Sequence, residues 1–300
     1  MIATRFGPRS TVRVLPSRDA TDVVALDGSN PPIVYKCRHK ELGHAPVSVA
    51  WAYEHCKHLR HPNISCILDV GRDGECHFLV EWREEGDDLV SAVENLAGKL
   101  HAMPSDQVLH ITKSILRGLS YLHAQRLVHR DIKCENIVLS GALPTAPGGT
   151  MPSVRLTDWE YLAPPGKMNG VSTVAYGSPH AHEGKPYSKT DDMWSFGVVL
   201  YILLMGYPPF TRPKPSHIHS LFPVVRADGV ALPEPAKDLL SRIFSPFHRN
   251  AVPSAHEVLL GPLLSLSPAQ LDDLRFAKVS EGKRVTTYRA VHNAPATGAR

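Results

Sequence analysis

The sequence predicts an α+β protein of two lobes, a small β-rich one followed by a larger helical one. Two observations carry this. Up to Trp82 the chain consists of short segments rich in valine and isoleucine, separated by turn residues; from Pro104 onward apolar residues recur at helical spacing. Strands gathered ahead of helices, instead of alternating with them, mark the α+β class. At 300 residues the chain exceeds one average domain and suits two lobes, and a hydrophobic content of 43% permits a substantial core.

Taken in order, Thr11 to Leu15, Asp22 to Asp27 and Pro32 to Arg38 read as strands, with Asp27-Gly28-Ser29-Asn30 as the turn between the second and third. Val47 to Leu59 has helical spacing, and Pro62 in His61-Pro62-Asn63-Ile64 stops it. Strands follow near Ser65 to Val70 and His77 to Trp82. Pro104 to Ala124 is amphipathic, with Val108, Ile111, Ile115, Leu116, Leu119 and Leu122 on one face. Leu139 to Pro152, rich in Gly, Pro and Thr, reads as a surface insertion. Helices are expected over Thr190 to Met205, Pro235 to Phe244 and Ala255 to Leu260, and the polar, basic stretch from about Ser280 to Arg300 is expected to be disordered.

Composition excludes several classes. A net charge of +4 is modest for this length, so nucleic acid is not the expected partner. The cysteines Cys37, Cys56, Cys66, Cys76 and Cys134 form no C-x-x-C pair, which argues against a zinc ribbon or redox motif and suits a reducing cytoplasm or nucleus. No secretory core opens the chain, and the longest apolar run, Val198 to Met205, is far short of the about 20 residues of a membrane span. His55, His58 and His61 with Cys56 are read as a solvent-facing helix rather than a metal site.

The most informative run is His129-Arg130-Asp131-Ile132-Lys133-Cys134-Glu135-Asn136, which has the form H-R-D-x-K-x-x-N. Further along stand Asp158-Trp159-Glu160, the stretch Ser172-Thr173-Val174-Ala175-Tyr176-Gly177-Ser178-Pro179-His180, and Asp192-Met193-Trp194-Ser195-Phe196-Gly197. In its strand-then-helix order and in these motifs, the chain resembles the eukaryotic protein kinase family over roughly Thr11 to Leu264, with Lys133 as the serine/threonine branch has it.

The resemblance implies a bilobal protein kinase fold, with the family's αC helix in the small lobe. It also implies ATP and Mg2+ as cofactors. Asp131 would meet a substrate hydroxyl, Lys36 and Lys133 would stabilise phosphate charge, and Asn136 and Asp158 would hold the metal. Val23, Val34 and Val138 would sandwich adenine, and the backbone of the hinge, Glu81-Trp82-Arg83, would bind its edge, with Val80 guarding the back of the pocket. In the family the aspartate equivalent to Asp192 holds the catalytic loop from below, and Arg249 fits a late arginine that normally pairs with a glutamate.

Other positions depart from the pattern. The loop between the first two strands, Pro16 to Thr21, has no glycine to close over phosphates. Ala52 falls where a glutamate should pair with Lys36. Glu160 replaces the glycine of D-F-G, and Trp159 replaces its phenylalanine, an aromatic that packs under αC. His180 stands where a glutamate should meet Arg249, so two positive groups would face each other if the histidine were protonated. Between Leu162 and Val171 there is no Ser, Thr or Tyr, so the usual activating phosphorylation site is missing although Arg130 remains. Glu160 pairing with Lys36 in place of the absent acid, and Glu160 facing solvent, both stay open.

The expected organisation is an extension over 1–10, the small lobe over 11–83, the large lobe over 84–265 and a partly disordered tail over 266–300. The expected function is transfer of the ATP γ-phosphate to a protein hydroxyl, slow or dependent on a partner. The alternative is a degenerate, Tribbles-type pseudokinase acting as a nucleotide-binding scaffold or allosteric partner. Either way the expected partners are proteins, as substrate or regulator.

Overall fold

The computed structural model describes residues 11–15, 22–27, 33–39, 54–73, 76–82, 86–97, 103–146, 148–166, 174–210, 230–245 and 251–276; for the segments up to residue 39, and at 70–73, 76–80, 82, 95–97 and 160, it describes the backbone alone. The first sheet holds β1 (Thr11–Leu15), β2 (Asp22–Asp27), β3 (Ile33–His39), β4 (Ile67–Asp73) and β5 (Cys76–Trp82) in the order β1-β2-β3-β5-β4, all neighbours antiparallel. The first two strands lie where sequence puts them, and β3 and β5 are displaced by about a residue. β4 starts later and runs further than expected because Ile64 and Ser65 are engaged elsewhere: Ile64 bridges Leu156, and the Ser65 N–H donates to the Leu156 carbonyl at 2.8 Å.

That contact ties the small sheet to the large lobe. Of the helix expected over Val47 to Leu59, residues 54–56 are helical and the chain has left the helix by Lys57, ahead of Pro62; the earlier part lies outside the described residues. The turn after it docks on helix α2 (Ser105–Ala124): the His61 ring stacks on Tyr121 at 5.0 Å, and Asn63 Nδ2 donates to the Val154 carbonyl at 3.0 Å. Gly118 makes this approach feasible, since a Cβ there would come within 2.9 Å of the Asn63 carbonyl oxygen. His55 and His58 are exposed, as expected of a solvent-facing helix, whereas His61 lies past the helix and is half-buried against Tyr121, and Cys56 is buried.

A second sheet of β6 (Asp87–Asp88), β7 (Ile137–Ser140) and β8 (Ser153–Leu156) opens the helical lobe. Between β6 and α2 lies α1 (Leu89–Ala97), a helix the sequence reading passed over; Asp88 caps it by accepting from the Ser91 N–H at 2.8 Å. The loop between β7 and β8 is a surface insertion from Gly141 onward, whereas Leu139 is a buried strand residue. The insertion is docked on α2 by Gln107 Nε2 to the Pro144 carbonyl and by His110 Nε2 to the Pro152 carbonyl, both at 2.8 Å.

The remaining helices are α3 (Pro179–His182), α4 (Lys189–Met205), α5 (Glu234–Ile243), α6 (Ala255–Leu259), α7 (Pro262–Ser265) and α8 (Pro268–Phe276). Helix α4 is buried all the way round from Asp191 to Met205, the signature of a central helix, and ends at Gly206 in the left-handed conformation at φ 81°. Its Trp194 packs with Phe210 and Phe244, the ring centroids 4.9 to 5.8 Å apart. Helix α8 lies beyond residue 265, where sequence starts the tail, yet it packs on α2. Its Arg275 is fully buried, donating to the Met103 and Leu204 carbonyls and to Ser105 Oγ at 2.7, 3.2 and 2.9 Å. The packed chain therefore extends to at least Phe276.

Candidate functional site

The site is assembled on the N-terminus of α4. After α2 the chain reverses at Arg126, and Val128 pairs with Ala163 by two backbone hydrogen bonds. The His129 and Arg130 N–H groups then donate to the two carboxylate oxygens of Asp192, each at 2.9 Å. Tyr187 Oη–H and His123 Nε2–H donate to the same carboxylate at 3.0 and 2.9 Å. Asp192 is 0% exposed. Burial alone would raise its pKa, but the His123 hydrogen bond and charge, the charge of His129 and the Arg130 N–H outweigh it and hold the group below its ordinary value. This arrangement supports Arg130 at φ 74°, a left-handed backbone that costs a non-glycine residue roughly 1–3 kcal/mol.

Arg130 is itself buried, with its guanidinium 5.7 Å from the centroid of the Tyr187 ring. His129 is buried beneath the loop. Its Nε2–H donates to the Thr157 carbonyl at 3.0 Å, and its ring packs on that of Trp159 at 5.4 Å. Desolvation lowers its pKa against the opposing pull of Asp192, Asp131, Asp158 and the Thr157 carbonyl, so the imidazole is neutral near pH 7. Trp159 is 1% exposed and thus fills an interior position; the αC helix it was expected to underlie falls, for residues 47–53, outside the described residues.

Asp131, Lys133 and Asn136 form one cluster. Lys133 Nζ lies 2.9 Å from Asp131 Oδ2, while Asn136 Nδ2 donates to that same oxygen at 2.8 Å and to the Asp131 carbonyl at 2.9 Å. Asp131 and Asn136 are 4% and 5% exposed, and Lys133 8%. A short 3-10 turn, Cys134–Asn136, folds the asparagine back over the aspartate. Cys134 is sealed inside this turn, and burial pushes its thiol up to about 12, so it is no nucleophile.

Asp158 follows the second sheet at the end where Asn136 enters it. Ile137 pairs with Leu156, and the Thr157 N–H donates to the Asn136 carbonyl at 3.0 Å, so Asn136 and Asp158 leave the same end of the β7–β8 ladder. Asp158 takes φ 71° and ψ 75°, which turns the chain into the Trp159–Tyr161 turn. Asp158 can supply a carboxylate from this end of the ladder, and Asn136 an amide oxygen. Both are hard oxygen donors of the kind magnesium accepts.

Several of the predicted nucleotide residues have their backbone placed. On β3, Lys36 pairs with Val23 on one side and Leu79 on the other, and Val34 pairs with Ala25 and Glu81; residues in register and two apart share a sheet face, so Val23, Val34 and Lys36 occupy one face with Glu81. Glu81 is 2% exposed and Val138 lies on β7 opposite Asp88. Arg83, the Pro16 to Thr21 loop, Ala52 and Arg249 lie outside the described residues, as do the side chains of Lys36 and Glu160 whose pairing was left open. His180 has a carboxylate nearby, with Nδ1 4.0 Å from Asp191 Oδ1.

The model of the protein kinase domain matches residues 34–260. The chain belongs to the eukaryotic protein kinase family. Curated relatives include the calcium/calmodulin-dependent protein kinase type II of Caenorhabditis elegans and of Caenorhabditis briggsae, each 31% identical over 190 residues. Those matches cover 62% of this chain but 25% and 33% of the relatives, so it spans about a quarter to a third of their length. The similarity supports the serine/threonine branch that Lys133 indicated. Among the described residues no helix is long and apolar enough to cross a membrane.

Sequence reasoning missed Ser178, Tyr187, Asp191 and His123. Nothing local marks them. Their partners stand between 5 and 69 positions away, and only the crossing of α2, α3 and α4 brings them together. The one signal on offer was that Asp191-Asp192 doubles an acid at the start of an otherwise apolar helix.

Proposed function

We propose that this kinase-family chain transfers the γ-phosphate of Mg-ATP to a serine or threonine hydroxyl of a protein, slowly or with the help of a partner. The observation that carries the reading is the buried Asp131–Lys133–Asn136 cluster, joined by contacts of 2.8 to 2.9 Å on a loop clamped to Asp192. In this reading Asp131 orients the hydroxyl and takes its proton, and Lys133 offsets charge on the transferring group. Lys36 meets the phosphates. Val23, Val34 and Val138 contact adenine, with the backbone at Glu81 and Arg83 along its edge. Asn136 and Asp158 would hold magnesium, whose chemistry is to neutralise phosphate charge.

The second reading, a Tribbles-type pseudokinase serving as a nucleotide-binding scaffold or allosteric partner, is favoured by the glycine-free Pro16 to Thr21 loop and by Ala52 and Glu160. Losses of this kind misplace ATP, and a displacement of about 1 Å can cost on the order of a hundredfold in rate. In both readings the chain works inside the cell, in cytoplasm or nucleus, on a protein.

Phosphate transfer from labelled ATP to a generic protein substrate decides between them, with the chain compared to Asp131→Asn. The expected result is slow transfer by the wild type and a loss of at least about 100-fold in the variant. Equal signal in both removes the enzymatic reading. A thermal shift by ATP that needs magnesium then separates a nucleotide-binding scaffold from an empty one.

A further inference from the structure

The departure at His180 does not stand alone. The stretch Ser172 to His180 aligns with the family's G-T-x-x-Y-x-A-P-E, so Ser178 stands where the family has alanine and His180 where it has glutamate; Asp191 sits immediately before Asp192, which opens the run matching the family's D-x-W-S-x-G. In the folded chain these residues meet. Ser178 Oγ–H donates to Asp191 Oδ1 at 2.5 Å, and His180 Nδ1 lies 4.0 Å from the same oxygen. The other oxygen, Oδ2, accepts from the Ser188 N–H at 2.7 Å and from Ser188 Oγ–H at 3.0 Å.

We propose that Asp191 is a positioning residue which, through Ser178 and His180, fixes the activation segment around residues 174–182 to α4 in place of the family's glutamate–arginine pair. Asp191 is 1% exposed, and a carboxylate at that depth is tolerated when donors surround it. It also lies in the first turn of α4, where the helix dipole favours negative charge. The connection continues past it. The Ala181 N–H donates to Ser178 Oγ at 3.0 Å, so one hydroxyl caps α3 and grips α4 together. One turn along α4, Ser195 Oγ–H donates to the Tyr176 carbonyl at 2.9 Å and fastens the segment a second time. The family's acid has in effect moved from the segment onto the helix. A glutamate at 180 would bring a second carboxylate up to Asp191, which explains why the histidine and the extra aspartate occur together.

The role in catalysis rests on the enzymatic reading above; the anchor itself does not, and the test keeps the two apart. Hydrogen exchange of the whole chain without substrate is measured at Ala181 and His182 for the wild type, Ser178→Ala, His180→Glu, Asp191→Asn and the double variant His180→Glu/Asp191→Asn. Exchange at Ile115 in α2 confirms that each is folded. Ser178→Ala and His180→Glu are expected to speed exchange at the segment by roughly 5- to 10-fold, the scale of one hydrogen bond. His180→Glu is expected to be harmless or protective once Asp191 is neutralised, a coupling that a merely structural disturbance would not produce. An unchanged exchange rate in Ser178→Ala, or a His180→Glu effect of equal size in both backgrounds, overturns the anchor. In kinetics the same variants should raise the KM for protein substrate more than the KM for ATP. Absence of any transfer, with the exchange pattern intact, leaves the anchor standing and removes the catalytic reading instead.

Discussion

Asp191 and Asp192 are adjacent, both buried, and hold different parts of the molecule in different ways. Asp192 receives two backbone N–H groups from the catalytic loop, at His129 and Arg130, and is surrounded further by His123 and Tyr187. Asp191 receives a side-chain hydroxyl from the segment, at Ser178, and keeps its remaining capacity for its own helix through Ser188. Backbone donors are present whatever the loop sequence, so the Asp192 clamp survives drift in the residues it holds. A side-chain donor exists only if the segment retains a residue that supplies it. The catalytic loop keeps its family residues for the groups they supply, not for the clamp, while the segment has exchanged its family glutamate and is held by Ser178 to Asp191.

The largest test of that contrast is to neutralise each acid. Asp192→Asn turns an amide nitrogen toward backbone N–H donors in a fully buried site, and the expected loss is about 3–5 kcal/mol in a urea denaturation series. The same change at Asp191 keeps an oxygen for Ser178 but turns the amide nitrogen toward the Ser188 N–H at the partly exposed start of α4, and should cost about 1–2 kcal/mol. Equal losses would show that the two acids do not differ in kind.

A smaller effect is expected from the frame they share. Arg275→Met strips donors from the Met103 and Leu204 carbonyls and from Ser105 Oγ, which join the start of α2 to the end of α4. About 2–3 kcal/mol of stability should be lost, with Asp131 chemistry unaltered once the protein is cooled below its melting temperature. A variant as stable as the wild type would mean that α8 is a passenger rather than part of the lobe.

The smallest effect is in pH. His129 has its pKa lowered from 6.5, so below that value the unfolded chain binds a proton that the folded chain refuses, and stability falls as pH drops from 6.5 toward the folded pKa. Asp192, lowered from 3.8, adds its own loss only in more acidic solution, as pH falls through its folded value. Removing the imidazole with His129→Phe should flatten the stability–pH slope just below about 6.5 by up to one proton, roughly 1.4 kcal/mol per pH unit. Thermal melts across that range check it, and an unchanged slope would place the titrating group elsewhere among the histidines.

Much of the architecture was legible in the chain itself. Valine- and isoleucine-rich runs marked the strands to within a few residues, and apolar spacing marked α2, α4 and α5, because periodic burial is a local property of sequence. The site was legible where one loop supplies all its members: Asp131, Lys133 and Asn136 lie within six consecutive positions and do cluster. Short elements were not. Helix α1 has nine residues and depends on the Asp88 cap, and α8 is held through Arg275 contacts reaching 172 positions back to Met103.

By itself, then, the sequence determined which chemical groups this protein owns and the order in which strands and helices deliver them, since those follow from composition, periodicity and spacing along the backbone. Tertiary structure alone decided who holds whom. It showed that His180, which the sequence set where a glutamate should meet Arg249, lies 4.0 Å from a carboxylate oxygen of Asp191, and that Ser178 donates to that same oxygen. Such pairings depend on helices crossing in space, and residues far apart in the chain have no local pattern through which to announce that they will meet.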